Sequence, residues 1–378
     1  MIKNKKIFIV VNVDWFFLSH RLQLANSLQS DGNDVYIITK DTGKKVEITN
    51  HGLSFINIDF ERSGTNILKE VKLIFKLLKL YKKYNPDIIH HVTIKPAIYG
   101  SVALSFFKND IKCINAISGL GYNFIENRKS IIQKFLLMLM DIGFKRKNVN
   151  FIFQNSDDKN FYSSLEFLTD KNYEIIKGSG VDQNDFNYVA PIKKSKLKVV
   201  FSGRMLLDKG IVEFMEATKL LRNKYLHSVE FILMGDIDIY NKASANENLI
   251  NSYLEKEYLT WIGFKNEVKD ILINADIVCL PSYREGLPKS LIEAMAIGRP
   301  IVTTNTAGCK ECVEENINGY LVPVKSVIEL AAKIELLLDD ENLRLKMGKA
   351  SRNKMEIELS LNKVINDTKS FYGKIINE

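Results

Sequence analysis

Cysteine, histidine and long apolar runs are scarce in this sequence of 378 residues, which contains four cysteines and five histidines. Four cysteines in a chain of this length do not form a disulfide framework, which indicates a reduced compartment. Cys309 and Cys312 have the spacing of a metal or redox pair, but no second pair exists and histidines are few. A functional role for these two cysteines is therefore disfavoured.

No stretch approaches the roughly 18 consecutive apolar residues that a membrane-spanning helix requires. The N-terminus has a basic start and a short apolar run but no small-residue cleavage site, so it predicts a first strand rather than a signal peptide. The formal net charge of +8 suggests an anionic partner, such as a nucleotide, a lipid headgroup or nucleic acid. Nucleic acid is disfavoured because aromatic and basic residues are not interleaved on a recognisable module.

Strand and helix patterns alternate in both halves of the chain. Ile7–Val13 and Asp87–His91 predict buried strands of a first domain, and Leu197–Ser202 starts the same pattern again after a polar, lysine-rich join. With 46% hydrophobic residues, the chain can bury two sizeable cores. The sequence therefore predicts an α/β protein with two doubly wound domains. The predicted boundaries are 1–177 for the N-terminal domain, 178–195 for the linker, 196–358 for the C-terminal domain and 359–378 for a last helix.

Two carboxylates lie close together between two predicted strands of the second half. Glu285 follows the strand Ile277–Leu280, and Glu293 lies in a helix that is predicted to have Pro288 at its first position. Taken singly, such residues are more often a cap or a solvated side chain. The loop between strand and helix, however, lies at the carboxyl edge of a parallel sheet, where open α/β folds bind their ligands. A glycine before a helix N-terminus presents amides to a phosphate, which favours a binding role.

A cationic pair follows the first strand of the second half. Arg204 comes directly after that strand, and Lys209 precedes the next predicted helix. Arginine can bind phosphate oxygens in bidentate fashion and lysine supplies a point charge, so the pair suits a diphosphate. The segment 236–238 has the spacing of a metal-binding DxD motif but is interpreted as a loop.

Both motifs resemble those of a known family. The segment EGLPKSLIE, from Glu285 to Glu293, resembles the E-x7-E motif of retaining glycosyltransferases of the GT-B fold, family 4 type, and GRMLLDKG at 203–210 resembles that family's second hallmark. The resemblance implies two Rossmann-like domains facing a central cleft, with the acceptor in the first, the nucleotide sugar in the second, and a last helix that returns to the first. The chain is most similar to bacterial enzymes that extend undecaprenyl-diphosphate-linked glycans for O-antigen, capsule or N-glycan assembly.

The resemblance also implies an activity and a set of residues. It predicts metal-independent, cofactor-free transfer of a hexose or N-acetylhexosamine, with retention of configuration, from a nucleotide sugar such as a UDP-sugar to a lipid-linked saccharide. Two alternatives stay open, a nucleotide-sugar epimerase of the same architecture and a non-catalytic nucleotide-sugar-binding module. The predicted catalytic residues are Glu285, Arg204 and Lys209, and the predicted donor-binding residues are Arg204, Lys209, Glu285, Gly286, Leu287, Pro288 and Glu293.

Four residues of the first half are predicted on the acceptor side. His20 is expected to begin the helix after the first strand, together with Arg21. Lys95 follows the strand Asp87–His91, where it could meet a diphosphate of the acceptor. Gly119 and Gly121 form a glycine turn that permits close approach of a ligand.

Two basic amphipathic segments, 68–84 and 129–147, leave two interpretations open. In the first segment Val71, Ile74, Phe75, Leu78 and Tyr81 lie on one predicted face, and lysines lie on another. The segments either pack on the sheet with a solvated basic face or meet an anionic membrane surface, where each lysine contributes about 1 kcal/mol. The second interpretation predicts a cytoplasmic protein that is peripheral to the inner membrane.

Overall fold

The computed structural model describes residues 2–60, 67–106, 110–119, 131–169, 172–239, 241, 243–265 and 267–377. The chain forms two compact units, of which the first contains Met1–Ser179 and Val364–Glu378 and the second contains Gly180–Lys363. The division after Ser179 falls inside the segment 178–195 that the sequence predicts as a linker.

The first unit alternates strands and helices from its first residues. Its elements are β1 (Lys6–Val13), α1 (Asp14–His20), α2 (Leu22–Ser30), β2 (Asp34–Lys40), α3 (Lys45–Asn50), β3 (Ser54–Asn57), α4 (Ile67–Tyr84), β4 (Ile88–Val92), α5 (Ile94–Ser105), β5 (Lys112–Ile117), α6 (Ile131–Phe144), β6 (Val149–Phe153), α7 (Ser156–Ser163) and β7 (Tyr173–Ile175). Within the described ranges they form a parallel seven-stranded sheet in the order β3-β2-β1-β4-β5-β6-β7. The order reverses between β1 and β4.

The second unit repeats this pattern. Its elements are β8 (Leu197–Ser202), α8 (Ile211–Tyr225), β9 (Val229–Met234), α9 (Glu247–Asn251), β10 (Leu259–Trp261), α10 (Val268–Ile273), β11 (Ile277–Leu280), α11 (Lys289–Ile297), β12 (Ile301–Thr304), α12 (Cys309–Cys312), β13 (Gly319–Val322), α13 (Val327–Asp339) and α14 (Glu341–Lys354), and α15 (Leu361–Asn377) follows. The described strands form a parallel six-stranded sheet in the order β10-β9-β8-β11-β12-β13. Here the order reverses between β8 and β11.

Both faces of the first sheet are buried, as parallel sheets require. In β1, Phe8 and Val10 point into one apolar cluster while Ile7 and Ile9 point into another, which is the period of two expected of a strand. The second cluster also contains Phe371 and other apolar residues of α15. The last helix therefore packs on the first unit, where most of its residues belong.

The predicted apolar face of α4 is partly wrong. Leu77 and Tyr81 are buried against the sheet, but Val71 and Phe75 are exposed, Phe75 by 56%. The buried stripe instead includes Glu70, whose carboxylate is paired with Lys95. The buried face thus includes an ion pair that apolar spacing does not predict, and two of the predicted apolar side chains, Val71 and Phe75, lie on the outer face.

No helix in the described parts of the chain combines the length and the apolar character needed to cross a bilayer. The longest described helix near the predicted basic segments, α4, carries lysines through most of its turns.

Candidate active site

Two loops meet where the strand order of the second sheet reverses. β8 and β11 are parallel neighbours, with Val200 paired to Val278 and Phe201 to Cys279. The loop after β8, residues 203–210, and the loop after β11, residues 281–288, therefore leave the same edge of the sheet side by side. Such a reversal opens a crevice at the carboxyl ends of the strands, which is where open α/β sheets bind ligands.

Hydrogen bonds tie these two loops together. The carbonyl oxygen of Asp208 accepts from the backbone N–H of Tyr283 at 2.8 Å and from Oγ of Ser282 at 3.1 Å. Farther along, Oγ of Ser290 in α11 donates to the carbonyl oxygen of Ser202 at 2.9 Å. The backbone positions of both predicted motifs are therefore fixed relative to each other.

Lys209 and Glu285, which the sequence assigns to separate motifs, form an ion pair. Lys209 lies in a 3₁₀ turn at Leu207–Lys209, and its Nζ donates to Oε1 of Glu285. The two side chains are 18% and 13% exposed. A lysine and a carboxylate from different loops are thus largely removed from water and neutralise each other.

Arg204 is paired with a carboxylate that the sequence did not identify. Its Nη1 donates to Oδ2 of Asp238 at 2.5 Å, and the exposed fractions are 44% for Arg204 and 12% for Asp238. The segment 236–238 is the predicted loop, and it follows β9, the other neighbour of β8. Because the DxD spacing was considered only for a metal, a salt-bridge partner for Arg204 was missed.

Asp208 is a second residue that the sequence did not single out. Burial raises the pKa of its carboxyl, and the charge of Glu285 raises it further, while Lys209 and Arg204 act in the opposite direction. Its Oδ1 is buried and has no hydrogen-bond partner among the residues described. The sequence signal that could have identified Asp208 is its position directly before Lys209.

Helix α11 begins at Lys289, one residue later than predicted, and Pro288 is its N-cap with φ −74° and ψ 109°. The ψ of 109° is extended rather than helical, so Pro288 precedes the helix instead of occupying its first position. Glu293, in the second turn, is largely buried and lies 3.5 Å from Nζ of Lys289. Burial raises the pKa of Glu293, and Lys289 lowers it.

Replacing Glu293 by glutamine is expected to raise the midpoint of thermal unfolding at about pH 7.5 but not near pH 4. Below the unfolded-state pKa of about 4.3, both states hold the proton. As the pH rises, the unfolded state ionises first, so the folded state loses stability until it ionises too. Thermal scans from about pH 4 to pH 8 measure the difference, with Glu329→Gln on the exposed side of α13 as the control. A lower midpoint for Glu293→Gln at pH 7.5 contradicts the argument.

Two glycines make the close approach of these loops possible. Gly210 has φ +73°, and a Cβ there would collide with the carbonyl oxygen of Pro281. Gly308 has φ +76°, and a Cβ there would lie 2.5 Å from the carbonyl oxygen of Glu285. The loop after β12 thus supports the backbone of Glu285, whose N–H donates to Ala307 O at 3.2 Å.

Cys309 and Cys312 lie in α12 and are buried, free thiols. Burial, with the charge of Glu285, raises the pKa of Cys309 to about 11, and burial raises that of Cys312 well above its usual value. The thiolate is the form that binds metals and attacks disulfides, so both residues are poorly suited to either role. In the described ranges, no group of three or more acidic, cysteine or histidine side chains is arranged to bind a metal.

The predicted acceptor-side residues lie after three adjacent strands of the first sheet. His20 ends α1 rather than beginning a helix, and its ring stacks on Phe16 at 4.0 Å. Lys95 follows β4 in the first turn of α5, where its Nζ lies 2.7 Å from Oε1 of Glu70. Gly119, after β5, has φ +105°, and Gly121 lies outside the described residues.

The neighbouring histidines of β4 have structural partners. Nδ1 of His90 is hydrogen-bonded to the hydroxyl of Tyr372 in α15, and His91 lies 2.9 Å from the hydroxyl of Tyr81 and 2.8 Å from Oδ1 of Asn115. Burial lowers the pKa of His91 to about 4 and that of His90 well below its usual value. Both rings are therefore neutral core groups.

Comparison with known proteins covers both units. A family model described as glycosyl transferases group 1 matches residues 182–354, and a model described as glycosyl transferase 4-like matches residues 6–155. The chain is a GT-B glycosyltransferase. The predicted family and the predicted fold class, two Rossmann-like α/β units, are confirmed.

Relatives of the transferase match it over most of their length. An N,N'-diacetylbacillosaminyl-diphospho-undecaprenol alpha-1,3-N-acetylgalactosaminyltransferase from Campylobacter jejuni is 29% identical, over 88% of this chain and 91% of the relative. A UDP-Gal:alpha-D-GlcNAc-diphosphoundecaprenol alpha-1,3-galactosyltransferase from Escherichia coli is 23% identical, over 93% and 92%.

Solved structures share the fold of the transferase. A sucrose-phosphate synthase from Thermosynechococcus elongatus superposes with a TM-score of 0.81 at 17% identity, over 99% of this chain and 100% of that one. HepE from Anabaena, in complex with UDP and glucose, gives 0.79 at 16% identity, over 98% and 100%.

Proposed function

We propose that this transferase retains configuration and moves a hexose or N-acetylhexosamine from a UDP-sugar to an undecaprenyl-diphosphate-linked saccharide in bacterial surface glycan synthesis. The observation that carries the proposal is the meeting of Lys209 and Glu285 at the reversal of the second sheet. The acceptor class is supported by the C. jejuni and E. coli relatives, whose names contain an undecaprenol diphosphate. The nucleotide is supported by the UDP-Gal donor of the latter and by the UDP complex of HepE.

Each part of the donor has a proposed partner. Arg204 and Lys209 bind the diphosphate, and Glu293 accepts hydrogen bonds from the ribose. Glu285, with Gly286, Leu287 and Pro288, binds the hexose. Two cations serve the diphosphate and one carboxylate serves each sugar ring, all on segments that leave the same sheet edge or on the helix beside it.

The chemical step depends on charge at the departing nucleoside diphosphate. Negative charge builds on the leaving phosphate, and cations fixed beside it stabilise the transition state. In a front-face attack, the leaving phosphate accepts the proton of the acceptor hydroxyl, so a side-chain base is not required. The proposal assigns the stabilisation to Arg204 and Lys209 and needs no metal.

On the acceptor side, His20, Lys95, Gly119 and Gly121 are proposed to line the site. Lys95 is paired with Glu70, so a phosphate of the acceptor would have to replace that carboxylate. The exchange keeps the lysine neutralised before and after binding.

A donor panel tests the function. UDP-, GDP-, ADP- and CMP-sugars are compared for thermal stabilisation of the protein and for slow hydrolysis of the sugar. We expect a selective response to UDP-sugars. A response to another nucleotide class alone rejects the donor assignment, conversion of the donor into an epimer favours the epimerase, and silence from folded protein favours a non-catalytic module.

Peripheral contact with the cytoplasmic face of the inner membrane is proposed through α4 and α6. The outer face of α4 has exposed Leu68 and Phe75 among exposed lysines such as Lys72 and Lys76, and α6 exposes Met138. Exposed apolar side chains flanked by lysines are the pattern of a helix that lies in a membrane interface.

Replacing Lys72 and Lys76 by alanine is expected to weaken sedimentation with vesicles that contain anionic lipid by about 2 kcal/mol, roughly 30-fold in partition. Binding to neutral vesicles should change little, because the lysines act through the surface charge. The control replaces Lys346 and Lys349, two exposed lysines of α14, by alanine. Equal sedimentation of the two double variants rejects the proposed surface.

A further inference from the structure

The Lys209–Glu285 pair joins two side chains that the proposed function assigns to different parts of the donor. In the structure, the lysine that would bind the diphosphate and the carboxylate that would bind the hexose are bound to each other. A donor that draws the lysine to its phosphates or the carboxylate to its sugar must weaken or break this bond. Binding is therefore an exchange of partners rather than occupation of an open charged site.

The cost of this exchange depends on what replaces each partner. Breaking a largely buried pair and leaving one member without a partner is strongly unfavourable. A nucleoside diphosphate alone satisfies Lys209 and leaves Glu285 without its cation. A free sugar alone does the reverse, whereas the intact nucleotide sugar satisfies both at once.

Asp208 makes an unpaired Glu285 more costly. Its buried Oδ1 has no hydrogen-bond partner in the described chain, and its charge acts on the same lysine as Glu285 does. When Lys209 turns to a phosphate, two carboxylates remain beside each other with less positive charge between them. Like charges in a partly buried site repel strongly.

The backbone prevents Glu285 from avoiding this cost by moving away. Its N–H donates to the carbonyl oxygen of Ala307, and two residues that precede it in the loop, Ser282 and Tyr283, donate to the carbonyl oxygen of Asp208. Gly308 packs directly against the carbonyl of Glu285. Only the side chain can rearrange, so it stays within the site.

We propose that the ion pair between Lys209 and Glu285 makes the site selective for the intact nucleotide sugar over the nucleoside diphosphate or the free sugar, because only the intact donor replaces the partner of both side chains. This inference rests on the proposed function. It also gives a route for product release: once the sugar has left with the acceptor, Glu285 has lost its hydroxyl partners and regains Lys209, which loosens the nucleoside diphosphate.

Cooperative binding to the unmodified protein is the first test. UDP is titrated calorimetrically with and without a saturating free sugar, using N-acetylgalactosamine, N-acetylglucosamine, galactose and glucose in turn. At least one sugar is expected to tighten UDP binding by about 10-fold, because it provides partners for Glu285, and UDP must tighten binding of that sugar equally. If the affinity for UDP is the same with and without each of the four sugars, the inference is overturned.

Matched variants form the second test, with UDP and the corresponding four UDP-sugars as probes. Glu285→Gln is expected to bind UDP about 10-fold more tightly than the wild type and to lose the preference for the UDP-sugar. Asp208→Asn removes a charge from the same site but keeps the pair. It should tighten the binding of UDP more than that of the UDP-sugars, because it lowers the cost of an unpaired Glu285, and so reduce the preference for the UDP-sugars without abolishing it. Glu255→Gln, in the exposed Arg222–Glu255 pair of the same unit, is the control for removing a salt bridge and should change neither.

Failure of the proposed function and failure of the inference alone give different experimental results. If wild-type protein binds neither UDP nor any of the UDP-sugars, the proposed donor is wrong, and the inference fails with it. If it binds them but Glu285→Gln leaves the affinity for UDP unchanged or weaker, only the inference is wrong.

Discussion

Replacing Lys209 or Arg204 by alanine is expected to raise the barrier of sugar transfer by roughly 3 kcal/mol, on the order of 100-fold in turnover. Each cation lies on the loop after β8, at the sheet edge where the leaving diphosphate is proposed to develop charge. Lys209→Ala also removes one of the two cations that are proposed to bind the diphosphate, so donor affinity should fall together with turnover. Turnover is measured under saturating donor with the UDP-sugar that the panel identifies.

Arg222→Ala supplies the control for this prediction. Arg222 is an arginine of the same unit, in α8, and it donates from Nε and Nη2 to Glu255 at 2.7 and 2.6 Å. It is paired with a carboxylate as Arg204 is, but it does not lie on either of the loops 203–210 and 281–288. Unchanged turnover in both Lys209→Ala and Arg204→Ala, with folding intact, rejects the assignment of the diphosphate site.

Replacing Gly308 by alanine is expected to cost about 2–4 kcal/mol of folding stability and to abolish the donor response. The added Cβ would lie 2.5 Å from the carbonyl oxygen of Glu285 and closer still to that of Gly286. Since both contacts are to backbone, no side chain can rotate away, and the loop that positions Glu285 must move. Thermal unfolding and donor-induced stabilisation measure the two effects.

A second glycine separates crowding from backbone strain in this experiment. Gly32 has φ +87°, close to the +76° of Gly308, but nothing lies within 4 Å of the place where its Cβ would be. Gly32→Ala should therefore show only the smaller cost of a left-handed backbone, about 1–2 kcal/mol, and should keep the donor response. Equal losses in both variants would mean that the contact with the Glu285 loop is not what matters.

The motifs of the second unit were predictable from sequence because their residues are close along the chain. EGLPKSLIE places Glu285 in a loop and Glu293 in the following helix, and the structure has both there. The start of the helix was wrong by one residue at Pro288, since proline is compatible with both the cap and the first position. A pattern of spacing does not distinguish these two positions.

Errors in the first unit have a common cause. The helical face of α4 was assigned from apolar spacing alone, which placed Phe75 inside and overlooked Glu70. The role of Lys95 toward a diphosphate of the acceptor stays a prediction, but its ion pair with Glu70 was not foreseen. A buried ion pair between two helices satisfies both charges, but its partners are far apart in sequence, so periodicity within one helix does not reveal it.

The sequence by itself determined the family, the two α/β units and the loops on which the charged residues lie, because strand and helix patterns and short motifs are local properties. Only the tertiary structure decided which charges neutralise each other: Lys209 with Glu285, Arg204 with Asp238 and Lys95 with Glu70. Each pair joins segments that the sheet order brings together across tens of residues. The physical reason is that a largely buried charge requires a partner in space, and the strand order of the sheet, rather than distance along the chain, supplies that partner.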